Sequence, residues 1–508
     1  MPTLPRTPRR LLAVLLIVLA VAVVVGGGLK LRRWAWEASA EAHFEPDIRN
    51  AHRWGRAAHR LGYFNLYRTR EGKQNPNRNL NLDYPPLRLL IMERWAGWTR
   101  AQFPQARRWD PAYEFNAPLL HLNSAFELVA AGAAFFLVAL WCRRAAGERA
   151  PPGPWPWVRG GGAALLVWFN PALLWVAHCW PQWDAWGVAS YLVAAVCASL
   201  GFWLTAGLVL GLGALLKGQM LVVALFFVLW AWATGQGRGP RALRVVLGVL
   251  LGVGIGGSPW LLGTFATGTW AFHPPAAWWV GGVLLATALG LAAWKRRRPE
   301  VAAAPWLAGA AVLALALCVP LFHADLAWLR VGFFYGSGHF PVLRMGRTPN
   351  FPALLEIWVP ALEGRATPLL RAGLGLVYAT GLVLAARWTA RAATERHPRV
   401  LVALALPWLL SFSLLPQMHE RYLVYGAVLT ALAAVTLRVG LVLHLALSAI
   451  AVLAMVPLRL VPEALRYGGD LHPVCALVVL AATAALCVLA ARPVSAAARG
   501  DRPAAETR

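Results

Sequence analysis

The chain has 508 residues, 59% of them hydrophobic and 14% charged, and its formal net charge at pH 7 is +26. This composition excludes a disordered chain and is unusual for a soluble globular protein. A large positive charge can indicate nucleic-acid binding, but most basic residues here form short clusters between apolar runs. We therefore expect membrane lipids, and no nucleic acid, among the partners.

Apolar runs close to the length of about 20 residues that crosses a bilayer recur along the sequence. They predict an all-α, polytopic membrane protein of a single domain, 1–508, with about 14 transmembrane helices. Two long segments, 30–117 and 322–368, interrupt the series. The region 185–234 contains either three short helices or two long ones, and Lys217-Gly218-Gln219 favours three. The predicted spans are 11–29, 118–142, 160–179, 185–200, 202–216, 219–234, 242–263, 276–294, 304–321, 369–386, 400–415, 421–437, 439–457 and 472–491.

The first apolar run has some features of a signal peptide. Arg9 and Arg10 precede an apolar run of about 15 residues, within the usual length of such a region. An Ala-x-Ala site is present at 38–40, but it follows the basic segment 30–33 and lies well away from the apolar run. We therefore expect the first helix to be retained.

Lysine and arginine are distributed unequally between the two sets of loops. The segments 143–159, 235–244, 295–298 and 387–399, together with Arg438, hold 16 basic residues, whereas the opposite short loops hold four. This asymmetry predicts that the first set is cytoplasmic. An even number of spans then places both termini in the cytoplasm. We expect a multi-pass protein of the cell membrane, in particular of a bacterial inner membrane.

The first extracytoplasmic loop, 30–117, carries an acid shortly after the first span. The segment that follows Pro46 can form an amphipathic helix with Trp54, Ala58 and Leu61 along one side, and Asp47 would lie near its N-terminus. Asp47 could cap this helix, since aspartate is favoured there. It could instead serve as a general base that faces a lipid-borne substrate.

The same loop contains the segment Asn81-Leu82-Asp83-Tyr84-Pro85-Pro86-Leu87. Pro85 and Pro86 cannot continue a helix, and they restrict the backbone before them to extended conformations. Asp83 could bond to nearby backbone amides, which is a structural role, or it could contact a substrate.

Two further turns on the predicted outer face carry polar residues. Asp184 stands where the turn 178–184 enters the next span, so it could cap that helix. Gln182 and Trp183 beside it also suit a sugar, because aromatic rings and amides match sugar faces and hydroxyl groups. Lys217, in the turn between two short apolar runs, is a second candidate cation.

The segment His419-Glu420-Arg421-Tyr422 opens the predicted span 421–437 from the outer face. A helix N-terminus presents unpaired N–H groups and the positive end of the helix dipole, which together suit a phosphate. Arg421 adds a permanent cation with two parallel donors. The alternatives are a local pairing with Glu420 or a contact with a lipid headgroup.

Several familiar patterns do not occur in the sequence. It contains no Walker-type phosphate loop, no His-Glu-x-x-His and no Cys/His metal pattern, and its six cysteines show no paired spacing. We therefore expect neither a cofactor nor a metal site. Glu127 lies within the span 118–142, where ionisable residues are often functional, but the sequence gives it no role.

Taken together, these segments resemble the GT-C superfamily of membrane glycosyltransferases. Asp47 precedes Trp54 by seven residues, and Leu82–Leu87 reads LDYPPL. Both features are similar to the dolichyl-phosphate-glucose-dependent glucosyltransferases of N-glycan assembly. His419–Tyr422 reads HERY, which resembles the bacterial relatives of the mannosyltransferases of GPI-anchor assembly. The Gln-x-Asp turn of this group is matched at 182–184, although proline replaces the usual glycine at position 181.

The resemblance implies an inverting transfer of a hexose, glucose or mannose, from a polyprenyl-phosphate sugar at the extracytoplasmic membrane face. The acceptor would be a glycan, a lipid or a protein, and neither a metal nor a cofactor would be needed. Asp47 would act as the general base. By the same resemblance, the donor phosphate would bind His419, Arg421 and Lys217, and the substrate would contact Asp83, Tyr84, Gln182 and Asp184.

The main alternative is a transporter of a sugar or a lipid-linked substrate. Transporters concentrate polar residues and broken helices near the middle of the bilayer. The charged motifs of this sequence instead cluster at the outer ends of predicted spans, which favours an enzyme. The sequence does not identify the sugar or the acceptor.

Overall fold

The structure is a computed structural model, and the part of the chain that it describes is mostly helical, as the all-α prediction requires. Only one pair of two-residue strands accompanies the helices in that part. The residues described are 6–43, 45–61, 66–67, 82–147, 153–235, 238–266, 332–333, 342–457, 471–492 and the single positions 282, 286, 290, 293 and 460.

Proline and asparagine residues mark where several helices of the first half begin. Pro85 is extended (φ −66°, ψ 163°) and Pro86 is the first helical residue, where proline costs no backbone hydrogen bond. The side chain of Asn170 caps another helix by accepting hydrogen bonds from two backbone N–H groups. These helices are α1 (Arg6–Ala38), α2 (Glu45–Leu61), α3 (Pro86–Gln102), α4 (Tyr113–Ala146), α5 (Trp155–Trp168) and α6 (Pro171–Leu174), with a 3₁₀ turn at Ala40–Ala42 and a π-helical turn at Trp175–Cys179.

The next four helices are α7 (Asp184–Ser199), α8 (Trp203–Leu216), α9 (Met220–Ala233) and α10 (Arg238–Ala266). Helices α8 and α10 pack closely through two pairs of glycines spaced four residues apart. A Cβ atom at Gly207 or Gly211 would overlap backbone carbonyl oxygens of α10, and one at Gly248 or Gly252 would overlap those of α8. This is the small-residue packing that brings helices into close contact in membranes.

The second half of the described chain holds a small parallel pairing. Strand β1 (Arg344–Met345) pairs with strand β2 (Met418–His419), with Arg344 opposite Met418 and Met345 opposite His419. The helices are α11 (Phe351–Trp358), α12 (Pro368–Thr394), α13 (Arg399–Ala403), α14 (Leu406–Leu414), α15 (Leu423–Leu429), α16 (Ala431–Ala434), α17 (Arg438–Met455) and α18 (Leu471–Ala491), with 3₁₀ turns at Pro360–Leu362 and Glu420–Tyr422.

The predicted count of about 14 membrane spans is wrong. Within the described residues, seven helices are long and apolar enough to cross a bilayer. Of the predicted span 276–294 only four single positions are described, and the predicted span 304–321 lies outside the described residues. Because the placement of both termini in the cytoplasm depended on an even count, that prediction loses its support. The seven candidate spans are Leu11–Ala38, Tyr113–Ala146, Trp155–Cys179, Gly239–Gly256, Pro368–Thr394, Arg438–Met455 and His472–Ala491.

The five other predicted spans fail because their helices are short or broken. Helix α7 has 16 residues, and α8 and α9 have 14 each. At 1.5 Å per residue they reach roughly 21–24 Å, less than the hydrocarbon core of about 30 Å. The predicted span 400–415 is divided into α13 and α14. The predicted span 421–437 begins as a 3₁₀ turn and is interrupted at Thr430.

The amphipathic helix expected after Pro46 is present as α2. Its apolar face, which includes Ile48, Trp54 and Ala58, is buried, and it packs against α3. The approach is close at Gly55, where a Cβ atom would overlap the carbonyl oxygen of Met92. This packing fixes the orientation of α2 and therefore the position of Asp47 in its first turn.

A buried charged network fixes α1 to the helices that follow. Arg32 Nε donates to Glu127 Oε2, and His178 Nε2 lies 3.2 Å from the same oxygen. The Arg32 guanidinium also donates to the carbonyl oxygens of Gly28 at 3.0 Å and Trp168 at 2.7 Å. All three charged or titratable side chains are at most 2% exposed. Glu127 thus has a structural role that the sequence did not assign.

Candidate functional site

Asp47 receives hydrogen bonds from two distant parts of the chain. Its Oδ2 atom accepts one from Gln182 Nε2 at 2.8 Å and one from Arg421 Nη1, also at 2.8 Å. The Asp47 side chain is 30% exposed, whereas that of Arg421 is 7% exposed. The structure therefore brings together the early acid, the Gln-x-Asp turn and the HERY segment.

Arg421 connects Asp47 to two more of the predicted site residues. Its Nη2 atom lies 3.4 Å from the hydroxyl group of Tyr84, and its Nε atom lies 3.9 Å from Asp184 Oδ2. The Nε atom is buried and donates to no acceptor among the described residues. One guanidinium thus lies between two carboxylates and a phenol, with part of its donor capacity unused.

Asp184 and Lys217 form a buried ion pair beside Arg421. Lys217 Nζ donates to Asp184 Oδ1, and the ammonium lies 4.6 Å from the ring centroid of Tyr422. The turn that carries Lys217 lies outside the seven candidate spans. Burial lowers the pKa of Lys217 to about 7; Arg421 lowers it as well, and Asp184 opposes both. Lys217 is therefore poised to gain or lose its charge near neutral pH.

The turn 178–184 is held rigidly by Asn123. The side-chain amide of Asn123 donates to the carbonyl oxygens of Ala177 at 2.8 Å and Gln182 at 2.9 Å, and its oxygen accepts from the indole of Trp186. Asp184 is the first helical residue of α7 rather than its cap, and its carboxylate points to Lys217. The capping role considered for Asp184 is therefore wrong.

Arg88 is a site residue that the sequence did not reveal. Its guanidinium lies between two rings, 3.2 Å from the centroid of Tyr84 and 3.4 Å from that of Trp183. The residue is fully buried, and none of its three guanidinium nitrogens donates to an acceptor among the described residues. Burial lowers the pKa of Arg88 to about 10, still high enough to keep it charged. The only signal in the sequence is a cation four residues after Tyr84.

Two predicted site residues lie beside this group. His419 Nδ1 is 3.0 Å from Glu420 Oε2, although neither atom makes a hydrogen bond to a described residue. Its ring lies 6.1 Å from that of Tyr422, and its described contacts do not reach Asp47. Asp83 is half-buried next to Tyr84. Burial raises the pKa of Tyr84, and the charge of Asp83 adds a smaller increase.

The strand pairing supports the HERY segment. The hydroxyl group of Thr348 donates to the carbonyl oxygen of Met418 at 2.7 Å. Gly346 follows β1 with φ +62°, and a Cβ atom there would overlap the Glu420 carboxylate. Only glycine fits both requirements without strain. Because the helix predicted at 421–437 is instead a 3₁₀ turn followed by short helices, a helix dipole is weaker support for phosphate binding than the sequence indicated.

We call this group of seven side chains the acid–cation cluster. It holds two carboxylates and three basic side chains, so positive charge is in excess when Lys217 is protonated, and several donors are unused. Such a site suits an anionic ligand. In the part of the chain that the structure describes, no group of three or more His, Cys, Asp or Glu could hold a metal ion. The cluster consists of Asp47, Tyr84, Arg88, Gln182, Asp184, Lys217 and Arg421.

The fold and these contacts define a helical, membrane-embedded protein with a charged cluster beside helix α2. No protein-family model and no curated protein sequence matches the chain.

Proposed function

We propose that the protein is a GT-C-like glycosyltransferase that moves a hexose from a polyprenyl-phosphate sugar to an acceptor. The observation that carries the proposal is the 2.8 Å bond between Asp47 and Arg421, which are 374 residues apart in sequence. This bond joins a partly exposed carboxylate to the basic side chains of the acid–cation cluster. These are the two groups that a transfer from a phosphate leaving group requires: a base and an anion-binding site.

Asp47 is suited to act as the general base. Gln182 and Arg421 both bind its Oδ2 atom, which orients the carboxylate. Its Oδ1 atom accepts no hydrogen bond from a described residue. In the proposed step, the acceptor oxygen attacks the anomeric carbon, the bond from that carbon to the phosphate oxygen breaks, and the hydroxyl proton passes to Asp47. Polyprenyl phosphate leaves with the electron pair, and the anomeric configuration inverts. General-base assistance contributes about 10²–10⁴-fold.

The cations of the cluster would receive the leaving phosphate. Arg421 has an unused Nε donor, and Lys217 and Arg88 add charge close by. Fixed donors of this kind supply roughly 3 kcal/mol to a transition state that develops negative charge. A donor phosphate would also compete with Asp47 for the Arg421 guanidinium, and this would free Asp47 to accept a proton.

The proposal also covers the residues that contact the substrate and the face of the membrane at which transfer occurs. Tyr84, Gln182 and Asp184 lie in the cluster and would contact the hexose, glucose or mannose, while Asp83 and His419 lie at its edge. The acceptor would be a glycan, a lipid or a protein, and the reaction would occur at the extracytoplasmic face. Neither a metal nor a cofactor is part of the proposed step.

The test is a transfer assay with the purified full chain in proteoliposomes and labelled polyprenyl-phosphate glucose or mannose. Asp47→Asn should lower transfer by about 10²–10⁴-fold. Glu395→Gln is the matched control, because Glu395 is 20% exposed and forms an ion pair with Arg391 at the end of α12, away from the cluster, and it should keep transfer. Undiminished transfer by Asp47→Asn would refute the role of Asp47 as the general base. Labelled sugar that accumulates in vesicles without any transfer would instead support the transporter.

A further inference from the structure

A second charged feature lies on the other side of α2 from its buried face. A cleft of about 1180 Å³ is bounded by α2, α3 and the segment 103–109. Among the described residues, seven arginines line it and no acidic residue does. None of its lining residues belongs to the acid–cation cluster, so the cleft is separate from the proposed catalytic site. We call it the arginine cleft.

The α2 wall of the cleft is a single stripe of arginines. Arg49, Arg53, Arg56 and Arg60 recur at intervals of four, three and four residues, so they share one face of the helix. All four are exposed. Arg56 donates to the carbonyl oxygen of Arg107, which joins this wall to the opposite one.

The opposite wall adds Arg100, Arg107 and Arg108, which are also exposed. Like charges placed this close repel one another, at a cost of a few tenths of a kcal/mol for each helical pair. Among the described residues, two carboxylates lie near the cleft without lining it. Glu93 lies 3.1 Å from His59, and Asp110 accepts from the backbone of Ala112. Exposed guanidinium groups that converge without acids form a site for phosphate groups.

The position of the cleft indicates which phosphates reach it. The candidate span in α1 ends at Ala38, close before α2, and the candidate span Tyr113–Ala146 begins at the floor of the cleft, where Phe115 lines it. Trp109, another lining residue, donates from its indole to Asn116 of that span at 2.9 Å. The ends of spans lie at the level of the lipid headgroups, where basic residues meet anionic lipids.

Exposed tryptophans support the same location. Trp34, near the end of α1, is 63% exposed, and Trp98 on α3 is 37% exposed. Tryptophan is enriched at the interface between membrane and water, because one part of its ring system is apolar and the other carries an N–H donor. Burial, followed by the charge of Arg56, lowers the pKa of His52 in the cleft to about 4, so His52 is neutral at pH 7. Arginine therefore supplies the charge that a lipid would meet.

We propose that the arginine cleft binds the phosphate headgroups of anionic membrane lipids and so holds α2, with Asp47 in its first turn, at the membrane surface. The proposal does not depend on the transfer reaction, because its test measures lipid binding alone.

The experiment is native mass spectrometry of the full chain, released from a neutral detergent after incubation with phosphatidylglycerol or phosphatidylcholine. The wild-type protein should retain phosphatidylglycerol in preference, and less of it as salt concentration rises. The double variant Arg53→Gln/Arg60→Gln should lower this affinity by on the order of 10-fold. Arg387→Gln/Arg391→Gln, which removes the same charge from the exposed surface of α12, should lower it much less, because Arg391 already forms an ion pair with Glu395.

Equal retention of both lipids by the wild type, or unchanged retention by Arg53→Gln/Arg60→Gln, would overturn the proposal. A second variant, Arg49→Gln/Arg100→Gln, removes one cation from each wall and should weaken binding in the same way if the first variant does not fold. Inorganic pyrophosphate is the soluble competitor. Pyrophosphate binding that depends on Arg53 and Arg60, without any preference for phosphatidylglycerol, would show that the cleft binds a soluble anion. That result would refute the proposed lipid binding.

Discussion

Two charged networks in this protein have similar members and different surroundings. In the first, Glu127 lies between Arg32 and His178, and all three side chains are at most 2% exposed. In the second, Asp47 lies against Arg421 and Gln182, and Asp47 is 30% exposed. Both join an acid to cations from distant segments. Only the second leaves a carboxylate within reach of a ligand.

The two networks also differ in how many of their hydrogen-bond donors have an acceptor. Arg32 donates to Glu127 and to two backbone carbonyl oxygens, so its guanidinium is occupied by the fold. In the acid–cation cluster, Arg421 Nε and all three nitrogens of Arg88 donate to no described acceptor. A buried donor without an acceptor costs free energy, and a ligand that binds it recovers that cost. The first network therefore anchors α1, and the second is suited to bind an anion.

The largest effect on stability should come from the first network. Glu127→Gln would leave the Arg32 charge buried without its partner, which costs about 3–5 kcal/mol. Thermal unfolding in detergent should show a large fall in melting temperature. Asp47→Asn should lower it much less, because Asp47 is partly exposed. Equal losses for the two variants would remove the distinction between the networks.

The largest effect on transfer after Asp47 should come from Arg421. Arg421→Gln should lower kcat by about 10²–10³-fold, because it removes fixed donors from the leaving phosphate. Arg421→Lys should not restore the rate. A lysine ammonium lacks the planar fork of donors with which Arg421 reaches Asp47, Tyr84 and Asp184. Rescue by lysine would show that a positive charge alone is sufficient.

A smaller effect is expected where the fold supports the HERY segment. Gly346 and Gly364 both have positive φ, but only at Gly346 would a Cβ atom overlap the Glu420 carboxylate. Gly364→Ala should cost about 1–2 kcal/mol for the backbone alone. Gly346→Ala should cost about 1 kcal/mol more and also lower transfer. Identical unfolding temperatures for the two variants would show that Glu420 does not constrain this turn.

The smallest effect concerns pH. Because the pKa of Lys217 is lowered to about 7, its positive charge is present below that pH and lost above it. The KM for the donor should therefore rise a few-fold between pH 6 and pH 8. Lys217→Arg keeps its charge throughout this range and should flatten the dependence. An equal pH dependence in both proteins would exclude Lys217 from donor binding.

Sequence patterns predicted the structure well where it depends on a single helix or turn. The helix after Pro46 and the extended backbone before Pro86 follow from local chemistry, and both are present. The number of spans did not follow, because hydropathy does not distinguish a helix buried among others from one that crosses a bilayer. Helices α7, α8 and α9 are as apolar as spans but too short.

The sequence predicted most residues of the site but not the contacts between them. Motif residues identified Asp47, Gln182 and Arg421, which the structure brings into contact. Arg88 was missed, since nothing in its sequence neighbours shows that Tyr84 and Trp183 enclose it. The arginine stripe of α2 was not identified either, and its opposite wall depends on how α3 packs.

The most direct test of the central claim is a double-mutant cycle on transfer with Asp47→Asn, Arg421→Gln and the double variant. Asp47 and Arg421 share a hydrogen bond, and residues that act as a unit show losses that do not add. We predict that the double variant transfers hexose at about the rate of the slower single variant. Strictly multiplicative losses would contradict the account, and so would single variants that keep the wild-type rate.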